Sequence, residues 1–78
     1  MGTQSYREQV AAEVRAEIAR KNKSLNDVAE VAGIARSTMS RKAKGGGAFD
    51  VEELRSIAAA LDVPMADLLP GATTRTAA

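Results

Sequence analysis

Residues 24–44 read SLNDVAEVAGIARSTMSRKAK, and the fold turns on how that stretch divides. Ser24 stands before Leu25, Asn26 and Asp27, so its hydroxyl can cap a helix, with Asp replacing the usual Glu at the third position of a capping box. Val28, Ala29 and Ala32 follow at helical spacing and give that short helix an inner face. Gly33 breaks it, Ile34 is apolar, and a further helical segment runs from Arg36 to Lys44 with Met39 and Ala43 one turn apart. Two short helices joined by a glycine-containing turn, the first with a small residue, Ala29, where helices approach closely, describe a helix-turn-helix. The apolar residues lay the second helix across the first and leave its other face outward. That face carries Arg36, Ser37, Ser40, Arg41 and Lys44: each can donate a hydrogen bond and none is acidic.

The flanking segments complete a helical domain. Val10, Val14 and Ile18 recur every four residues, so residues 5–21 read as an amphipathic first helix that Asn22 ends, standing where glycine is more common. Gly45, Gly46 and Gly47 make a flexible loop. Asp50 then opens a fourth helix, with Glu53 completing the capping box and Phe49 and Leu54 placed as a hydrophobic staple. Val51, Leu54, Ile57, Ala58 and Leu61 form a stripe that makes this the best-packed helix, and Asp62 takes the place of a terminal glycine. Pro64 suits the first position of a short fifth helix bearing Met65, Leu68 and Leu69, which Pro70 and Gly71 stop. The expectation is an all-α, five-helix domain over residues 5–70, with residues 71–78 as a disordered tail.

Composition removes most other classes of function. A chain of 78 residues has room for one small domain. Without cysteine or histidine it offers no disulfide framework, thiolate or imidazole metal site, Cys nucleophile or His base. Ser37 and Ser40 therefore lack an activating partner, and the Glu52–Glu53 pair at a helix start reads as serving the macrodipole. The expectation is a protein that is not an enzyme, with no cofactor and no small-molecule substrate. Its apolar runs fall far below the roughly 18 residues of a membrane span, and its N-terminus lacks the order of a signal peptide, which reads as a cytoplasmic protein. Net charge is only +1, but residues 20–48 hold seven bases and two acids, net +5, against four bases and eight acids elsewhere, net −4. Such polarity can orient the molecule towards a polyanion. The B-DNA major groove admits one α-helix, and arginine can grip guanine O6 and N7 in a fork that lysine cannot form.

Across residues 6–70 the chain resembles the Cro and phage-repressor class of helix-turn-helix proteins, of XRE type. VRAEIAR (14–20), AEVAGIARSTMSR (29–41) and FDVEELRSIAAALDVP (49–64) are similar to its actinobacterial and actinophage branch. The resemblance implies that double-stranded DNA is the partner, with Arg36, Ser37, Ser40 and Arg41 at base edges. It further implies that Thr38, Lys42, Lys44, Gly45 and Gly46 meet phosphates, the glycines through exposed backbone N–H groups, and Lys23, where the chain departs from the family pattern, is expected to add a phosphate contact of its own. Members of this class bind as two-fold dimers with recognition helices about 34 Å apart. The function implied is transcriptional regulation in a bacterial host cell, as a phage or prophage repressor that occupies its operator. The alternative is an accessory protein of recombination or excision, or an antitoxin acting through a protein partner.

Several positions carry competing readings. Lys42 points partly towards the core, so a snorkelling structural lysine stands beside the phosphate contact. Arg41 reads as a base contact or as a solvated arginine. Met65, Leu68 and Leu69 read as a dimer surface or as the closure of the core. Leu25 occupies the place of a phosphate-binding Gln and Lys23 that of an apolar residue, an exchange that would turn Leu25 inward and give the charge to Lys23. Ala35 holds the N-cap of the recognition helix, where Ser or Thr would contribute about 1 kcal/mol, so that helix is expected to fray without DNA.

Overall fold

A computed structural model describes residues 5–70, as four α-helices and a 3-10 turn. Helix α1 spans Tyr6–Arg20, α2 Leu25–Ala32, α3 Arg36–Ala43 and α4 Val51–Leu61, and the 3-10 turn covers Met65–Leu68. The five-helix expectation is corrected at its last element. Pro64 stands extended before the turn rather than inside it, and Pro70 follows closely, so only one tight turn fits between them. The expected tail, 71–78, lies outside the described residues.

Three helices begin with a side-chain cap. Ser5 Oγ accepts from the Glu8 N–H at 3.3 Å while the Ser5 N–H donates to Glu8 Oε1 at 3.0 Å. Asp50 and Glu53 form the same reciprocal box at 2.7 and 2.9 Å, as their spacing predicts. Ser24 Oγ accepts from the Asp27 N–H at 3.0 Å, without a reciprocal bond from the shorter Asp. All four helices end alike, with a left-handed residue just past the last turn: Asn22 (φ 58°), Gly33 (76°), Gly45 (89°) and Asp62 (59°). In each case the N–H of the next residue reaches back to a carbonyl five residues earlier, Lys23 to Ile18, Ile34 to Ala29, Gly46 to Arg41 and Val63 to Ala58, at 2.9–3.1 Å.

The core runs through every element: Val10, Val14 and Ile18 of α1, Val28 and Ala29 of α2, Met39 of α3, Leu54, Ile57, Ala58 and Leu61 of α4, and Leu68 of the 3-10 turn. Met39, Ile57, Leu61 and Leu68 are fully enclosed, and burial of a side chain of this size contributes about 1.5–3 kcal/mol. Ala29 and Ala43 are also closed to solvent, and their small side chains let α2 and α3 approach their neighbours. Leu68 closes the core from the C-terminal segment, with Met65 and Leu69 half-buried against it. No helix among the described residues is long and apolar enough to cross a membrane.

Candidate nucleic-acid interface

Helix α3 has eight residues and commits two of them, Met39 and Ala43, to the core. One turn apart, these two fix which side of the helix faces inward. Arg36, Ser37, Arg41 and Lys44 consequently lie exposed, and Ser40 is half-buried beside them. The four expected base-reading residues are therefore brought to one helix, three of them open to solvent. Its first turn carries no acid, and Ala35 supplies no side-chain bond at the N-cap. The orphan N–H groups of that turn thus keep their positive end of the helix dipole, which suits a phosphate.

The residues expected at phosphates divide into two groups. Lys23 and Lys44 are exposed, Lys23 in the turn between α1 and α2 and Lys44 at the end of α3. Leu25 is half-buried and packs against the core, whereas Lys23 keeps its charge exposed. Thr38 is half-buried and faces a cleft between the turn and α4 that Ala35, Glu52, Glu53 and Ser56 also line. Lys42 belongs to the scaffold: its Nζ donates to Glu53 Oε1 at 2.8 Å and Oε2 at 2.9 Å, with both side chains mostly buried. The expectation of exposed glycine N–H groups is corrected. The Gly45 N–H donates to the Lys42 carbonyl at 3.0 Å and the Gly46 N–H to the Arg41 carbonyl at 2.9 Å. The end of a helix leaves carbonyls without intrahelical donors, and the loop's own amides fill them.

Two residues that shape the interface were not singled out for it in the sequence. Arg15 of α1 donates from Nη1 to the Ala43 carbonyl at 2.6 Å, tying the first helix to the end of the third and placing positive charge at a negative dipole end. Its partner lies 28 residues away, and no local pattern signals it. Glu53 serves both the cap of α4 and the ammonium of Lys42, so one carboxylate joins the start of α4 to the last turn of α3. The capping box was legible; the second bond depended on the tertiary path. On the exposed face Arg41 bends over the glycine loop, with Nη1 donating to the Gly46 carbonyl at 3.2 Å.

A short helix held across another by a glycine turn, with its outer face basic and free of acids, defines a helix-turn-helix DNA-binding protein. The model of the Cro/C1-type HTH DNA-binding domain matches residues 13–70, and the chain belongs to that family of DNA-binding transcriptional regulators. Among solved structures it is similar to two of the clp gene regulator ClgR from Corynebacterium glutamicum, at 27% and 28% identity and a TM-score of 0.83 for each. These alignments cover 94% and 97% of this chain and 95% and 81% of theirs. The restriction-modification controller protein C.AhdI from Aeromonas hydrophila shares the fold, at 21% identity and a TM-score of 0.77, over 81% of this chain and 96% of its own. No curated protein sequence matches the chain.

Proposed function

We propose that the protein is a sequence-specific repressor that acts in the cytoplasm by occupying operator DNA, with α3 in the major groove. The observation that carries this reading is the outer face of α3, where Arg36, Ser37 and Arg41 stand exposed on a helix anchored by other residues. In this reading Arg36, Ser37, Ser40 and Arg41 meet base edges, and Lys23, Thr38 and Lys44 meet phosphates. Lys42 holds the scaffold. The likeness to ClgR, a clp gene regulator, supports gene regulation as the role. The phage or prophage form of repressor, in the actinobacterial branch, is the narrower version that the sequence resemblance implies. Two copies related by a two-fold axis would present the helices to half-sites about 34 Å apart.

Selection of bound sequences from a random duplex library tests the proposal. An enriched palindrome is the expected outcome, and a pool that stays random at low salt overturns it. On the enriched duplex, affinity should fall with salt at a log–log slope of about −0.9 per phosphate contacted. Arg41→Ala should cost about 1–3 kcal/mol there and abolish preference at a single base pair. Arg41→Lys should not restore that preference, because a point charge lacks the fork. Equal losses on enriched and random duplexes would reduce Arg41 to a general electrostatic contact.

A further inference from the structure

The loop after α3 holds three consecutive glycines, and only the first has a backbone reason to be one. Gly45 adopts φ +89°, whereas Gly46 and Gly47 lie outside the left-handed region, where any L-residue can stand. What separates the latter two from ordinary residues is the space their missing side chains leave. A Cβ on Gly46 would lie 3.0 Å from Arg41 Cγ and 3.0 Å from the Arg41 carbonyl oxygen. A Cβ on Gly47 would overlap Arg41 Nη1 and stand 3.6 Å from Cζ. The Arg41 side chain crowds the first place together with its own carbonyl and fills the second, and its Nη1 donates to the Gly46 carbonyl.

We propose that Gly46 and Gly47 are positioning residues that seat the Arg41 guanidinium against the end of α3 and orient it for the DNA. The proposal rests on the DNA-reading role of Arg41 given above. A guanidinium carries five N–H donors, and one bond to a carbonyl leaves enough for a fork on a base edge. An arginine on an open helix face samples many rotamers and loses that freedom on binding; a seated one has lost part of it beforehand. The seat also joins specificity to the fold, since the Gly46 amide that closes α3 and the Gly46 carbonyl that holds Arg41 belong to one residue.

The variant that separates these roles is Gly47→Ala. Its obstruction is the far end of a flexible side chain, so Arg41 yields and the backbone stays, whereas Gly46→Ala would press on the Arg41 carbonyl. In the free protein, side-chain nitrogen relaxation should show Arg41 Nε more ordered than Arg36 Nε. Gly47→Ala should bring it to the Arg36 level with the thermal midpoint no lower than that of the wild type, since alanine at this backbone conformation restricts the unfolded chain. On duplexes enriched by the wild-type protein, Gly47→Ala should weaken binding about two- to tenfold, the cost of immobilising one long side chain. On random duplex it should change nothing, and in an Arg41→Ala background it should have no effect on either. Equal mobility of Arg41 in wild type and Gly47→Ala overturns the seat, as does a binding loss that persists without the Arg41 side chain. Failure of the wild-type protein to enrich any sequence would overturn the repressor reading, while the relaxation comparison still decides the seat.

Discussion

Helices α3 and α4 are consecutive in the chain and are held in opposite ways. Helix α4 secures itself: an Asp50–Glu53 capping box fixes its start, Phe49 packs against the core just ahead of it, and four of its eleven residues are buried. Helix α3 has no side-chain cap and buries only Met39 and Ala43. What α3 lacks internally comes from its neighbours: Arg15 of α1 holds its last carbonyl, Glu53 of α4 binds its Lys42, and the glycine loop closes its end. A helix that gives its surface to a ligand keeps little for its own stability, so the surrounding helices must supply the fixation. The capped and well-buried α4 is the platform on which α3 is mounted.

Substitutions in the two helices can break or sharpen this contrast. The largest effect is expected at Met39, the fully enclosed anchor of α3: Met39→Ala should cost about 2–5 kcal/mol, read as a shift of the urea midpoint at unchanged slope. A loss under 1 kcal/mol would mean that α3 is held without its anchor. Next comes the tie to α4, where Lys42→Ala removes a charge-assisted bond and should cost about 1.5–3 kcal/mol. Because the pair is mostly buried, that loss should persist in 0.5 M salt, checked by denaturation with and without salt. Asp50→Ala deletes the cap of α4 and should cost about 1 kcal/mol by thermal melting. The smallest change runs the other way: Ala35→Ser adds the cap that α3 lacks and should stabilise by about 0.5–1 kcal/mol, with slower amide exchange confined to the first turn of α3. Global rather than local slowing would show that the recognition helix does not open on its own.

The same contrast explains what the sequence disclosed. The start of α4 was legible because cap, box and staple lie within six residues, and the apolar spacing of α1 and α4 declared their inner faces. The S-x-x-E spacing at Ser5–Glu8 was equally local, a box that hydrophobic periodicity alone passes over. Helix α3 was found from its place after Gly33 and from its basic outer face, and Arg36, Ser37 and Arg41 do stand exposed there. Contacts decided by the tertiary path were not readable: Arg15 on Ala43 and Glu53 on Lys42 join segments that no local pattern relates. The internal use of the Gly45 and Gly46 amides is local, the same helix-end pattern that closes the other three helices, and a reading of the three glycines as a flexible loop passes over it. The final element departs from its expected helix because Pro64 alone suits a helix start, whereas Pro70 six residues on leaves room for a single 3-10 turn.

The turn of the motif bears on how such domains are found in genomes. A Cβ built on Gly33 meets nothing within 4 Å, so glycine is there for the sign of φ and for no reason of space. Two other turns of this chain meet the same demand with Asn22 and Asp62, at φ 58° and 59°. A left-handed Asn or Asp carries only a modest backbone penalty compared with β-branched residues. A search pattern that insists on glycine between the two helices is therefore stricter than the chemistry. Relaxed to admit asparagine and aspartate there, it would collect chains with the same backbone course and an equally free recognition face.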